Sequence, residues 1–128
     1  MGTWGLAAFE NDDASDFLYE VEEAGWRAAG RAMMKVILDF GYLEAPESQR
    51  GIAAATLVAA KLKPNVVAPP EDAARLLELL PPPPQVYRTL AKWTINRVLR
   101  RSELQELWAE GEELGDWQAE TRKALQVL

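Results

Sequence analysis

The chain of 128 residues contains no cysteine and no histidine. Without cysteine there is neither a disulfide framework nor a thiolate metal site. Without histidine the usual general base, His-based triads, most zinc sites and the Glu-x-x-His design of di-iron bundles are excluded. No apolar run approaches the roughly 20 residues that cross a bilayer, and the opening MGTWGLAAFENDD lacks the basic start and apolar core of a signal peptide. A cytoplasmic address is therefore the expectation. Positive charge is scarce: 14 Lys and Arg stand against 20 Asp and Glu, a net charge of -6. That balance disfavours nucleic acid and anionic membranes as partners. Phosphate loops, nucleophile elbows and dinucleotide fingerprints are also missing.

What is present points to a helical domain. The run from Gly51 to Leu62, GIAAATLVAAKL, is small and apolar with no charge before Lys61. Alanine is the strongest helix former and leaves a smooth surface, and a helix apolar nearly all round is normally buried. The spacing predicts a central helix wrapped by amphipathic ones. Asn11 or Asp12 is a good N-cap for a first helix with Ala14, Phe17, Leu18, Val21 and Ala24 on one stripe and Gly25 as its stop. A second helix is predicted from Trp26 to Phe40, with Ala29, Met33, Val36, Ile37 and Phe40 inward, Gly41 as terminator and Gly30 marking a close helix approach.

Glu47 and Ser48 then open the Ala-rich helix. Pro70 suits the first position of a short helix over 71–80, with Ala73, Leu76, Leu77 and Leu80 inward. The four prolines Pro81 to Pro84 read as a stiff polyproline spacer, with a docking ligand for aromatic grooves as the alternative. A longer helix over 85–101 has Tyr87, Ala91, Thr94, Ile95 and Val98 as its core face, widened by Leu90 and Trp93. Ser102-x-x-Gln105 is a capping box, and Asp116 is placed to cap a last helix bearing Trp117, Thr121, Ala124, Leu125 and Leu128. No segment alternates long enough to argue a strand. The expected fold is a single all-α domain over 1–128, a small bundle of about seven helices around the buried Ala-rich one.

Charge is unevenly spread. Met1 to Gly25 carries seven acids and no base, whereas Arg88 to Arg101 carries five bases and no acid. Those bases fall on both flanks of their helix, not in one stripe, which further disfavours nucleic-acid binding. The candidate site is the N-terminal stretch: the aromatic Trp4 and Phe9 and the polar cluster Glu10, Asn11, Asp12, Asp13 and Asp16. Asp12 and Asp16, four apart, share a helix face, so a hard divalent cation held by oxygen ligands is the one cofactor suggested. The spacing does not match an EF-hand loop. Capping and solvation account for the same acids. Trp4 and Phe9 are expected to anchor the arm on the bundle, with a binding role for Trp4 as the alternative; burial is expected for Trp26, Trp93, Trp108 and Trp117.

The opening WGLAAFENDDASDF resembles the signature of a family of small, mostly bacterial proteins, domain of unknown function 4259: Trp4, Gly5, Phe9, Glu10, Asn11, Asp12, Ala14, Asp16 and Phe17 match its Trp-Gly, Phe-acid-Asn-Asp and Ala-x-Asp-aromatic elements. The similarity continues through YLEAP at Tyr42 to Pro46, the Ala-rich helix, SELQELW at Ser102 to Trp108, and Trp117. The chain departs from the family pattern at Ala7, where a second glycine is usual, and at Thr56, where an acid is frequent. The resemblance implies boundaries and fold but no activity. Small size and the lack of nucleophile and base constellations favour a non-enzymatic domain, inhibitor-like or immunity-like, that meets a protein with a basic surface through its acidic first helix. The alternatives are a carboxylate-based or metal-assisted enzyme using the acid cluster and a structural part of a homo-oligomer, for which an exposed apolar patch is the sign.

Overall fold

A computed structural model describes Thr3 and residues 5–128. It has seven α-helices: α1 (Asp12–Ala24), α2 (Trp26–Ile37), α3 (Ala45–Leu62), α4 (Glu71–Leu79), α5 (Val86–Arg100), α6 (Glu103–Ala109) and α7 (Leu114–Arg122), followed by a 3-10 turn (Lys123–Gln126). Among the described residues the only β-type pairing is an isolated antiparallel bridge between Thr3 and Asn11. No described helix is long and apolar enough to cross a membrane.

The Ala-rich helix is the axis, as its composition predicts. α3 packs against α1, α2, α4, α5, α6 and the 3-10 turn, and every residue from Gly51 to Ala60 except the half-buried Thr56 is buried. Its small side chains let the neighbours come close. A β-carbon on Gly51 would stand 2.5 Å from Val36 Cγ2 of α2 and 3.0 Å from Thr94 Cγ2 of α5, both tips of short, branched, buried side chains with nowhere to go. Gly30 of α2 plays the same part for Tyr87, whose hydroxyl occupies the space a β-carbon would take and donates to the Trp26 carbonyl at 3.1 Å. Trp26 in turn meets Tyr87 edge to face at 6.4 Å, and its indole N–H donates to the Pro81 carbonyl at 2.6 Å. The proline spacer is thereby pinned to the α1–α2 corner.

Helix ends follow local chemistry where it is strong and tertiary contacts where it is not. Asn11 caps α1, Gly25 turns the chain at φ 63°, and Ser102 Oγ accepts from Gln105 N at 3.1 Å. Other ends differ from expectation. α3 starts at Ala45, two residues before Glu47, because the Glu103 carboxylate of α6 accepts its first amide at 2.7 Å; Pro46 is tolerated in the first turn, where amides have no helical partner. Pro70 is the N-cap of α4 rather than its first residue. α7 begins at Leu114 with Glu113 at the cap position, which leaves Asp116 inside the first turn. Trp93, expected beside the core, is 57% exposed on the outer face of α5.

The notch at Gly51 gives a test in which two effects oppose each other. Helix propensity alone makes Gly51→Ala stabilising by about 1 kcal/mol, whereas overpacking against Val36 and Thr94 costs about 1–3 kcal/mol. Net destabilisation is expected in chemical denaturation, and a rise in stability would show that the helices do not meet there.

Candidate functional site

Two polar residues of the N-terminal motif, Glu10 and Asn11, bond within their own segment. In the loop over 5–10, Glu10 N donates to the Ala7 carbonyl at 3.0 Å and Ala7 N donates back to Glu10 Oε1 at 3.1 Å. The Glu10 carboxylate folds over Gly5, in the space a β-carbon there would enter. Asn11, only 6% exposed, makes two bonds at once: its Oδ1 accepts from Ala14 N at 2.8 Å and its Nδ2 donates to the Ala8 carbonyl at 3.2 Å. Thr3 Oγ1 accepts from Gln49 Nε2 of α3 at 3.2 Å. Phe9 is half-buried against the core. Trp4 lies outside the described residues.

This loop lies across α3 and the tryptophans of α6 and α7, Trp108 and Trp117, which stack at 6.1 Å and 13°. The cavity beneath it, lined by Thr3, Asn11, Gln49, Trp108 and Trp117 among others, measures about 10 Å³. That is room for no more than a single water.

The structure does not gather the acids of the motif. Asp12 and Asp16 are exposed, Asp13 is half-buried, and Glu10 is turned back into its own loop. Among the described residues no group of three or more Asp, Glu, His or Cys side chains is placed to hold a metal ion. Part of the negative field of α1 meets a cation of this same chain. Arg50 of α3 pairs with Glu20 at 2.7 Å, and its pKa is raised by that hydrogen bond above all, against the cost of burial, with Glu20, Asp13 and Asp16 adding through space.

A second feature was not legible in the sequence. α2 ends at Ile37, three residues short of the predicted Phe40, and Gly41 is not its cap. The segment after it turns because Asp39 Oδ1 accepts from Gly41 N at 2.9 Å, an Asx turn that competes with helix continuation. Arg97 of α5 holds the turn from beneath, donating to the carbonyls of Asp39 at 3.3 Å and Gly41 at 3.1 Å. Burial, then the neighbouring Arg101, lowers the Arg97 pKa, with Asp39 acting in the opposite sense. The consequence is outward projection: Phe40 is 85% exposed instead of packing on the core, beside the exposed Leu38, Tyr42 and Met34.

These four side chains flank an open groove of about 1220 Å³ between α1, α2 and the start of α3. Ala24, Ala28 and Ala32 line it, with six acids (Asp13, Glu20, Glu23, Asp39, Glu44, Glu47) against three bases (Arg31, Lys35, Arg50), a net of -3. The Tyr42 phenol is held above its usual pKa, by desolvation first and then by the carboxylates of Glu106, Glu103 and Glu44.

The family model of a domain of unknown function, DUF4259, matches residues 2–120. The chain belongs to this family. No curated protein and no solved structure matches it significantly. Within this DUF4259 protein Glu10 and Asn11 of the opening motif are engaged by their own loop, whereas Asp13 lines the groove.

The double role of Asn11 makes a distinctive prediction. As a cap, Asp substitutes for Asn at little cost; here Asn11→Asp also loses the bond to Ala8 O and sets a charge against that carbonyl in a buried place. Both Asn11→Ala and Asn11→Asp are expected to cost about 1–3 kcal/mol in thermal or chemical unfolding. An Asn11→Asp protein as stable as the parent would reduce Asn11 to a simple cap.

Proposed function

We propose that this protein is a non-enzymatic binding domain whose docking face for another protein is the groove between α1, α2 and the start of α3. The observation that carries the proposal is the gathering of Met34, Leu38, Phe40 and Tyr42, four of the ten exposed large hydrophobic side chains among the described residues, at one groove. Exposed apolar residues scattered singly need no explanation, but a cluster edged by charge is typical of interaction sites. The cluster stays exposed because Arg97 and the Asx turn hold the loop away from the core, and a rigid loop binds without the entropic cost of ordering. A smaller groove between α1 and α4, of about 490 Å³, has only Tyr19 and Leu79 of that set.

The net charge of the groove, -3 by its lining side chains, favours a basic partner, as suits an inhibitor-like or immunity-like protein. It disfavours a second copy, since two faces of like charge would meet. Affinity capture from the native proteome at low ionic strength tests this, comparing the parent with Leu38→Asp/Phe40→Asp. The parent is expected to retain partners that the double variant, with an unchanged thermal midpoint, loses. Identical captured sets would overturn the proposal.

A further inference from the structure

The groove holds a carboxylate that makes no ion pair among the described residues. Glu47, in the first turn of α3 and half-buried, lines the groove, and its Oε2 is closed off from solvent without a hydrogen-bond partner. Among the described residues Glu47 makes no ion pair, whereas Glu20 across the groove is already held by Arg50. A partly desolvated carboxylate without a donor is unfavourable; Oε2 is itself out of a visitor's reach, so a cation docked on the accessible remainder of the side chain offsets that cost through charge. Resting on the docking face proposed above, we infer that the groove receives an amphipathic helix of a basic partner protein, and that an arginine of that helix engages Glu47.

Three features select this occupant. Ala28 and Ala32, four apart on α2 and both lining the groove, present small side chains, and interaxial distance between packed helices is set by side-chain size at the contact. The exposed aromatics Phe40 and Tyr42 offer faces on which a planar guanidinium stacks, which a lysine ammonium does less well. The Arg50–Glu20 pair at 2.7 Å is an instance in the same groove of a guanidinium set on a carboxylate, the charge-assisted geometry the partner's arginine would repeat on Glu47. Helix-in-groove recognition uses apolar anchors at i, i+3, i+4 and i+7, and Leu38 and Met34 are the side chains on which such anchors would rest.

The probe is a 14-residue acetylated and amidated peptide of Leu, Ala and Arg, with leucines on one helical face and arginines flanking it. Its twin has Glu in place of each Arg. The Arg peptide is expected to shift the amide resonances of Met34, Leu38, Tyr42 and Glu47 and to become helical, while its twin shifts none of them. Glu47→Gln should weaken binding about five- to tenfold, and Asp72→Asn on α4, outside the groove, should leave it unchanged. Equal binding to parent and Glu47→Gln, equal effects of the two acid substitutions, or binding of the Glu twin would overturn the assignment to Glu47 while leaving the docking face standing. A concentration-dependent dimer lost in Leu38→Asp/Phe40→Asp would identify the occupant as a second copy and overturn the inference. No shift in the groove with either peptide, together with capture unaffected by the double variant, would remove both the inference and the docking face.

Discussion

Gly51 opens a notch in α3 into which Val36 of α2 and Thr94 of α5 fit from either side, and the rest of the architecture depends on that closeness. A rod of alanines buries little area per residue, so its cohesion comes from what is laid on it. Phe17, Met33, Leu43, Ile95 and Leu104, all essentially inaccessible to solvent, fill the space around the rod and supply the dispersion and transfer energy that alanine lacks. Small residues at the centre and large ones around it are complementary. Leu57, the largest side chain α3 itself contributes to the fully buried set, sits where truncation to alanine would cost about 2–5 kcal/mol.

How much of this the sequence disclosed depends on whether the deciding contact is local. The phase of α1, its cap at Asn11, the reversal at Gly25, the cap at Ser102 and the buried rod all rest on neighbours within a few residues, and the chain states them openly. The ends of α2 and α3 do not. α2 stops where an Asx turn at Asp39 is secured by Arg97, 58 residues on, and α3 starts where Glu103, 58 residues on, accepts the Ala45 amide. Periodicity carries no record of such partners, so Phe40 continues the apolar phase on paper and points to solvent in the fold. Trp93 teaches the same limit: an aromatic next to a core stripe need not belong to it.

The candidate site was hidden for a related reason. Residues that carry chemistry in principle, the acids and the amide of the opening motif, are the ones a sequence reading selects. In the fold Glu10 and Asn11 satisfy backbone amides and carbonyls of their own loop, as buried polar groups must. The groove instead takes one wall from α1, its floor from α2 and an edge from a loop whose outward aromatics are a tertiary product. Charge asymmetry did point to α1, since Asp13, Glu20 and Glu23 line the groove, but only the fold shows that Arg50 answers part of that charge.

That partial neutralisation bears on how a partner would be held. Arg50 sits among Glu20, Asp13 and Asp16, so the field facing a visitor there is weaker than the bare count of acids suggests, while the start of α3 keeps Glu44 and Glu47 without an ion pair among the described residues. Charges at a rim steer encounter and lose effect with salt; desolvated contacts at the centre govern how long a complex lasts. In the proposed docking face the two roles would fall to different residues, the outer acids of α1 to approach and the apolar side chains with Glu47 to retention. Rising ionic strength should therefore slow association more than it speeds dissociation, unless the partner's cation reaches Glu47 so loosely that water stays between them.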